Sequence, residues 1–111
     1  MPPYDCYIEI KKGEIKMIKV VAKLKVKSEN LETFINLAKT LIEKSRAESG
    51  NISYTLNQHL AEPTTVAFIE TWKDQEAIDI HNATEHYTTI FPKLMALSDP
   101  EILADFYAEI E

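Results

Sequence analysis

The chain has 111 residues, with 18 acidic against 12 basic side chains and a formal net charge of −6. That length corresponds to one domain, and its ordinary hydrophobic content excludes a disordered segment. The acidic balance excludes the basic stripe that a nucleic-acid binder needs. Because a domain this short buries only about two thirds of its unfolded surface, an internal pocket competes with the core, and association with a second copy relieves that competition.

The lysines at 11, 12, 16, 19, 23, 25 and 27 cluster near the N-terminus but alternate with apolar residues, as on the solvated face of a strand. Cys6 is the single cysteine, so neither an intrachain disulfide nor a cysteine-based zinc site can form. A reduced, cytoplasmic setting is the expectation. No apolar run approaches the ~20 residues of a membrane span and no signal-peptide core precedes the first strand, so membrane insertion is not expected.

Residues 1–16 read as an N-terminal extension, in which Cys6 to Lys12 alternates weakly and Lys12-Gly13-Glu14 can turn it into a hairpin as an extra strand. The domain proper is expected over 17–111. Ile18, Val20, Ala22, Leu24 and Val26 alternate with lysines as a half-buried strand. Ser28 then reads as the cap of a helix whose apolar face is Phe34, Leu37, Ala38, Leu41, Ile42 and Ser45. Gly50 reads as its stop, the residue free to take a left-handed conformation. A second strand runs from Ile52 to Leu60, with Ile52, Tyr54, Leu56 and Leu60 on one face, and a third from Val66 to Trp72.

Asp74 caps a short helix ending near His81, and Thr84 caps a continuation that Pro92 kinks or breaks. Ser98-Asp99-Pro100 reads as a stop before a final strand carrying Ile102, Ala104, Phe106, Ala108 and Ile110. The order is β-α-β-β-α-β, an α+β ferredoxin-like arrangement with an antiparallel sheet. The first and third strands are apolar on both faces (Val21, Ala67 and Ile69 opposite Val20, Ala22 and Phe68), while helices cover only one. A second subunit's sheet is the natural cover, which predicts a homodimer.

Two glycines cannot build a dinucleotide fingerprint or a phosphate loop, and no GxSxG, HExxH or calcium loop occurs. His81 and His86 stand about 140° apart on an unbroken helix, a poor metal pair, and converge only if the helix breaks near Asn82-Ala83-Thr84. No metal is expected. His81 follows Ala77 by one turn and can point at the sheet, as a general base for a mildly acidic hydroxyl or as a packing or helix-end histidine. Glu70, between Phe68 and Trp72 on one strand face, is either a carboxylate with a raised pKa or the partner of a lysine or solvent. Trp72, Tyr54 and Phe68 either line a cavity for a flat aromatic ligand or form an aromatic core. His59 reads as exposed or at an interface.

The segments Ser45-Arg46-Ala47-Glu48-Ser49-Gly50-Asn51-Ile52-Ser53-Tyr54 and Phe68-Ile69-Glu70-Thr71-Trp72-Lys73-Asp74-Gln75-Glu76-Ala77, followed by His81 and Glu85-His86-Tyr87, resemble the antibiotic biosynthesis monooxygenase (ABM) domain family over about residues 17–110. The resemblance implies a dimeric α+β barrel, two ferredoxin-like subunits packed sheet to sheet, with a cavity between each sheet and its helices. It also implies a family spanning cofactor-free monooxygenases of quinols and phenols, haem-degrading enzymes and an isomerase-like branch for a phosphorylated sugar derivative. The haem-degrading branch uses an Asn, a Trp and a His where Lys23, Ile80 and Ile90 are expected here, which weighs against haem degradation.

The leading expectation is a cytoplasmic, cofactor-independent oxidoreductase, a homodimer acting on a small aromatic substrate with O2. His81 is its expected catalytic base, and Tyr54, Phe68, Glu70, Trp72 and His86 its substrate-binding residues, with His86 or Glu70 orienting. The alternatives are an isomerase-like enzyme on a small metabolite, phosphorylated or not, and a non-catalytic small-molecule-binding dimer.

Overall fold

The computed structural model describes residues 17–110. The N-terminal extension with its expected hairpin strand lies outside the described residues. Four strands, β1 (Ile18–Val26), β2 (Asn51–Gln58), β3 (Thr65–Trp72) and β4 (Ser98–Ala108), form one antiparallel sheet in the order β2-β3-β1-β4. Helix α1 (Leu31–Arg46) joins β1 to β2, while α2 (Gln75–Ala83) and α3 (Glu85–Ala96) join β3 to β4. This is the ferredoxin-like topology the alternation predicts, with the second helical layer in two pieces. No helix among the described residues is long and apolar enough to cross a membrane.

The period-2 pattern sets the register. Val20 pairs with Glu70 and Phe106, and Ala22 with Phe68 and Ala104, so all of these lie on the helix-covered face. That face, with Phe34, Ala38 and Leu41 of α1 and Ile90 and Leu94 of α3, makes one core. The opposite face carries Val21, Ala67, Ile69, Leu103 and Tyr107 among lysines, with Ile69, Leu103 and Tyr107 exposed.

Several local expectations are corrected. Ser28 opens a 3₁₀ turn, Ser28–Asn30, and no side chain caps α1; Asn30 Nδ2 donates instead to Leu97 O (3.4 Å), tying the helix start to the end of α3. Gly50 does not adopt a left-handed conformation. It is needed because a Cβ there would stand 2.4 Å from the Ala77 Cβ, so its missing side chain lets α2 approach. Leu60 lies beyond β2 and is fully exposed, and Ile52, beside a register shift between Asn51 and Ser53, is exposed as well.

Helix α3 runs through Pro92 without ending, since one missing ladder bond at an exposed position is tolerated. Ser98-Asp99-Pro100 belongs to β4, an edge strand on which a proline need not donate.

The other two caps read from sequence, at Asp74 and Thr84, are present. Asp74 Oδ1 accepts from Ala77 N (2.8 Å) and Thr84 Oγ1 from Tyr87 N (3.2 Å). Thr84 is at once the end of α2 and the start of α3, with extended backbone (φ −68°, ψ 153°). The helix therefore breaks between the two histidines.

Candidate functional site

A cavity of about 260 Å³ lies between the helix-facing side of the sheet and the α2–α3 layer. Its polar wall is Tyr54 from β2, Glu70 from β3, His81 and Asn82 from α2, and Tyr87 from α3; Phe91 and Phe106 are among its apolar groups. These elements converge because Tyr54 and Glu70 are direct cross-strand partners and the Asp74 cap fixes the phase of α2 that turns His81 inward.

His81 is buried, only 2% exposed. Its ring packs on Trp72, centroids 4.5 Å apart, and edge-on to Tyr87 at 4.9 Å. Its Nδ1 lies 2.7 Å from Glu48 Oε2, and His86 Nε2 reaches the same oxygen at 2.8 Å. A carboxylate oxygen accepts, so both nitrogens carry their protons toward Glu48, and His81 Nε2 is left with its lone pair. That Nε2 is buried and has no hydrogen-bond partner among the described residues. Burial lowers the His81 pKa, opposed by the Glu48 hydrogen bond and charge and reinforced by His86; the net lowering favours the neutral ring near neutral pH.

Glu70 is the second titratable group on the cavity. Its Oε1 accepts from Trp72 Nε1 at 2.8 Å, which satisfies the indole that a buried Trp must otherwise strand. Desolvation pushes its pKa from 4.5 up to about 7, against the lowering effect of that hydrogen bond and with a further push from Glu48. Tyr54 and Tyr87 are raised, first by burial and then by Glu70, Tyr54 strongly, so both phenols stay protonated and can donate to a ligand.

The site residues read from sequence thus divide. His81, Tyr54 and Glu70 line the cavity. Trp72 and Phe68 do not: both are fully buried beneath its wall, with Phe68 packed among Phe34, Tyr54 and Phe91. Alternation places them on the helix-covered face, but Phe68 at the middle of β3 and Trp72 at its end are both sealed by the layers packed above. His86 is not among the lining residues of the cavity; its Nε2 meets the Glu48 oxygen that His81 also engages. The group that holds His81 is neither His86 nor Glu70 but Glu48, in the turn after α1. Sequence reasoning passed over Glu48 because an acid in a turn carries no periodic signal; its place in the quoted Ser45–Tyr54 motif was the available cue. The helix break removes the angular separation of the two histidines, and Glu48, His81 and His86 offer ligand atoms all within 4.8 Å of one another. His59 is exposed, its Nδ1 accepting from Ala61 N and Glu62 N.

The antibiotic biosynthesis monooxygenase family profile matches residues 17–93. The chain belongs to this family. Among its ABM relatives, the protein named "Putative monooxygenase YcnE" from Bacillus subtilis (strain 168) is 42% identical over 71 residues, 64% of this chain and 75% of YcnE. A conserved protein from Methanosarcina mazei Go1 has a crystal structure that superposes with a TM-score of 0.84 at 38% identity, covering 86% of this chain and 95% of that one. A crystal structure of an antibiotic biosynthesis monooxygenase gives a TM-score of 0.80 at 32% identity over 85% of this chain and 99% of that one. The ABM fold expected from the quoted motifs is therefore the fold observed.

Proposed function

We propose that this ABM protein is a dimeric, cofactor-independent monooxygenase that oxidises a quinol or phenolic aromatic with O2, using His81 as its base. The reading rests above all on His81: a buried ring on the cavity wall with Nδ1 tied to Glu48 and Nε2 unpartnered. Such a ring can accept a hydroxyl proton from a ligand, while Glu48 orients it and stabilises the imidazolium that forms. Engineered cavities of about 150 Å³ bind benzene, so 260 Å³ accommodates a substituted single ring.

The chemistry follows from electron supply. Ground-state O2 reacts slowly with closed-shell molecules, whereas a quinol anion donates one electron to it. The resulting radical and superoxide combine at a ring carbon to give, once protonated, a hydroperoxide. Loss of water from the C–H-bearing hydroperoxide leaves a new carbonyl. One oxygen atom enters the product, the other leaves in water, and the quinol supplies the electrons. Glu70, with a pKa near neutrality, suits protonation of the peroxide, and the apolar wall excludes water.

Glu70 and His81 on one cavity also suit an isomerase that moves a proton without consuming O2. Among the described lining residues there is no Lys or Arg, which leaves a phosphorylated ligand without a cation there. The deciding experiment is oxygen uptake by metal-free protein over a panel of hydroquinones, for wild type and His81→Ala. Uptake that falls on the order of 10²-fold or more in the variant supports the reading; uptake unaffected by the substitution removes His81 from its role. No uptake with any quinol transfers the site to the isomerase or to a non-catalytic binding dimer. Dimerisation through the face carrying Val21, Ile69 and Leu103 is checked by light scattering at micromolar concentration, where a monomer mass would contradict it.

A further inference from the structure

We infer that Glu48, His81 and His86 form a divalent-cation site of the zinc class. Two imidazoles and a carboxylate are a usual zinc donor set, and here the three ligand atoms lie within 4.8 Å of one another. They come from the turn after α1, from α2 and from the first turn of α3, brought together by the break at Thr84.

The present spacings of 2.7 and 2.8 Å are hydrogen-bond lengths. A tetrahedral ion with bonds of about 2.0–2.1 Å holds its ligand atoms roughly 3.3 Å apart, so the two Glu48–imidazole distances open by about half an ångström while the two imidazole nitrogens, within 4.8 Å of one another, draw in toward that spacing. Glu48 Oε1 adds an independent observation: it is buried with no hydrogen-bond partner among the described residues, an arrangement that costs free energy and that a cation would relieve. On its outer side Glu48 lines a cleft of about 290 Å³ with Thr84, Asp74 and Glu76, against the single cation Lys73 among its described lining residues, an acidic surround that favours a cation's approach.

Occupancy would change the neighbouring cavity without any change in the number of protons. Coordination through His81 Nδ1 moves the proton of the neutral ring to Nε2. The nitrogen that is an acceptor in the metal-free protein becomes a donor, so a bound ion and a free Nε2 base exclude one another. The site stands independently of the oxygenase reading, since cation binding is measured without any substrate.

The test is titration of metal-free full-length protein with Zn²⁺ against a chromophoric chelator, for wild type, Glu48→Gln, His86→Ala and His59→Ala. Each fold is checked by circular dichroism. Wild type and His59→Ala should bind one ion per chain with equal affinity. Loss of an outer partner typically weakens metal binding 10–100-fold, and removal of a ligand should weaken it at least about tenfold in Glu48→Gln and His86→Ala. In wild type, imidazole ¹⁵N shifts should show the His81 proton moving from Nδ1 to Nε2 on zinc addition. Absence of one-to-one binding, equal affinity in the cluster variants, or loss in His59→Ala alone would overturn the proposal. Should Glu48→Gln fail to fold, the wild-type ¹⁵N tautomer shift decides: an unchanged His81 tautomer under saturating zinc refutes the site.

Discussion

Replacing Glu70 by Gln should stabilise the protein above neutral pH and leave it unchanged in acid. The carboxyl is 7% exposed and its pKa is raised from 4.5 to about 7. Between those values the folded protein retains a proton that the unfolded chain has released. Stability therefore falls as pH rises through that window, and the loss is complete above it. A displacement from 4.5 to about 7, at about 1.4 kcal/mol per pH unit, amounts to about 3 kcal/mol at pH 8. The amide introduced by Glu70→Gln would stay neutral throughout, and its carbonyl oxygen can still accept from Trp72 Nε1, so the packing is preserved. Urea unfolding of both proteins at one concentration, followed by Trp72 fluorescence from pH 4 to 8.5, reads the difference directly. Contributions from His81 and other titrating groups largely cancel in that difference. The variant should be about equal to wild type near pH 4 and more stable by about 3 kcal/mol at pH 8. A stability difference that does not vary with pH would refute the raised carboxyl.

Trp72→Phe removes the hydrogen bond that opposes the upward shift of Glu70, so the Glu70 carboxyl titration followed by ¹³C NMR should move to still higher pH. Gly50→Ala places a methyl 2.4 Å from the Ala77 Cβ and should cost about 1–3 kcal/mol by overpacking; an unchanged thermal midpoint would contradict the close approach. Thr84→Ala deletes the acceptor for Tyr87 N and the hydroxyl that donates to His81 O at 2.7 Å. It should lose about 1 kcal/mol of stability and broaden the His81 and His86 imidazole signals, whereas Thr84→Ser should retain both properties.

The oxygenase and cation-site readings meet at a single ring. His81 lines the cavity, is held by Glu48 through Nδ1 and keeps Nε2 buried without a partner among the described residues, so in both readings what Glu48 binds sets which nitrogen carries the proton. The break at Thr84 is the structural cause. Without it His86 would point away from Glu48, leaving the carboxylate with one imidazole partner.

Much of this fold is written in local patterns. Alternation over Ile18–Val26 and Val66–Trp72, the 3.6-residue face of α1 and the caps at Asp74 and Thr84 are each decided by a few neighbouring residues, because strand pleat and helix pitch repeat along the chain. The motif around Glu70, Trp72, His81 and His86 likewise marks the ABM family from the sequence alone. Tertiary structure alone decided which of these residues meet. Glu48 and His81 are 33 positions apart and no periodicity relates them; only the docking of α2 beside the turn after α1, which Gly50 permits by lacking a side chain, brings them together. Depth was also invisible, since alternation tells which face a side chain occupies but not whether a helix seals it. That is why Trp72 and Phe68 lie beneath the wall while Tyr54 and Glu70 reach the cavity.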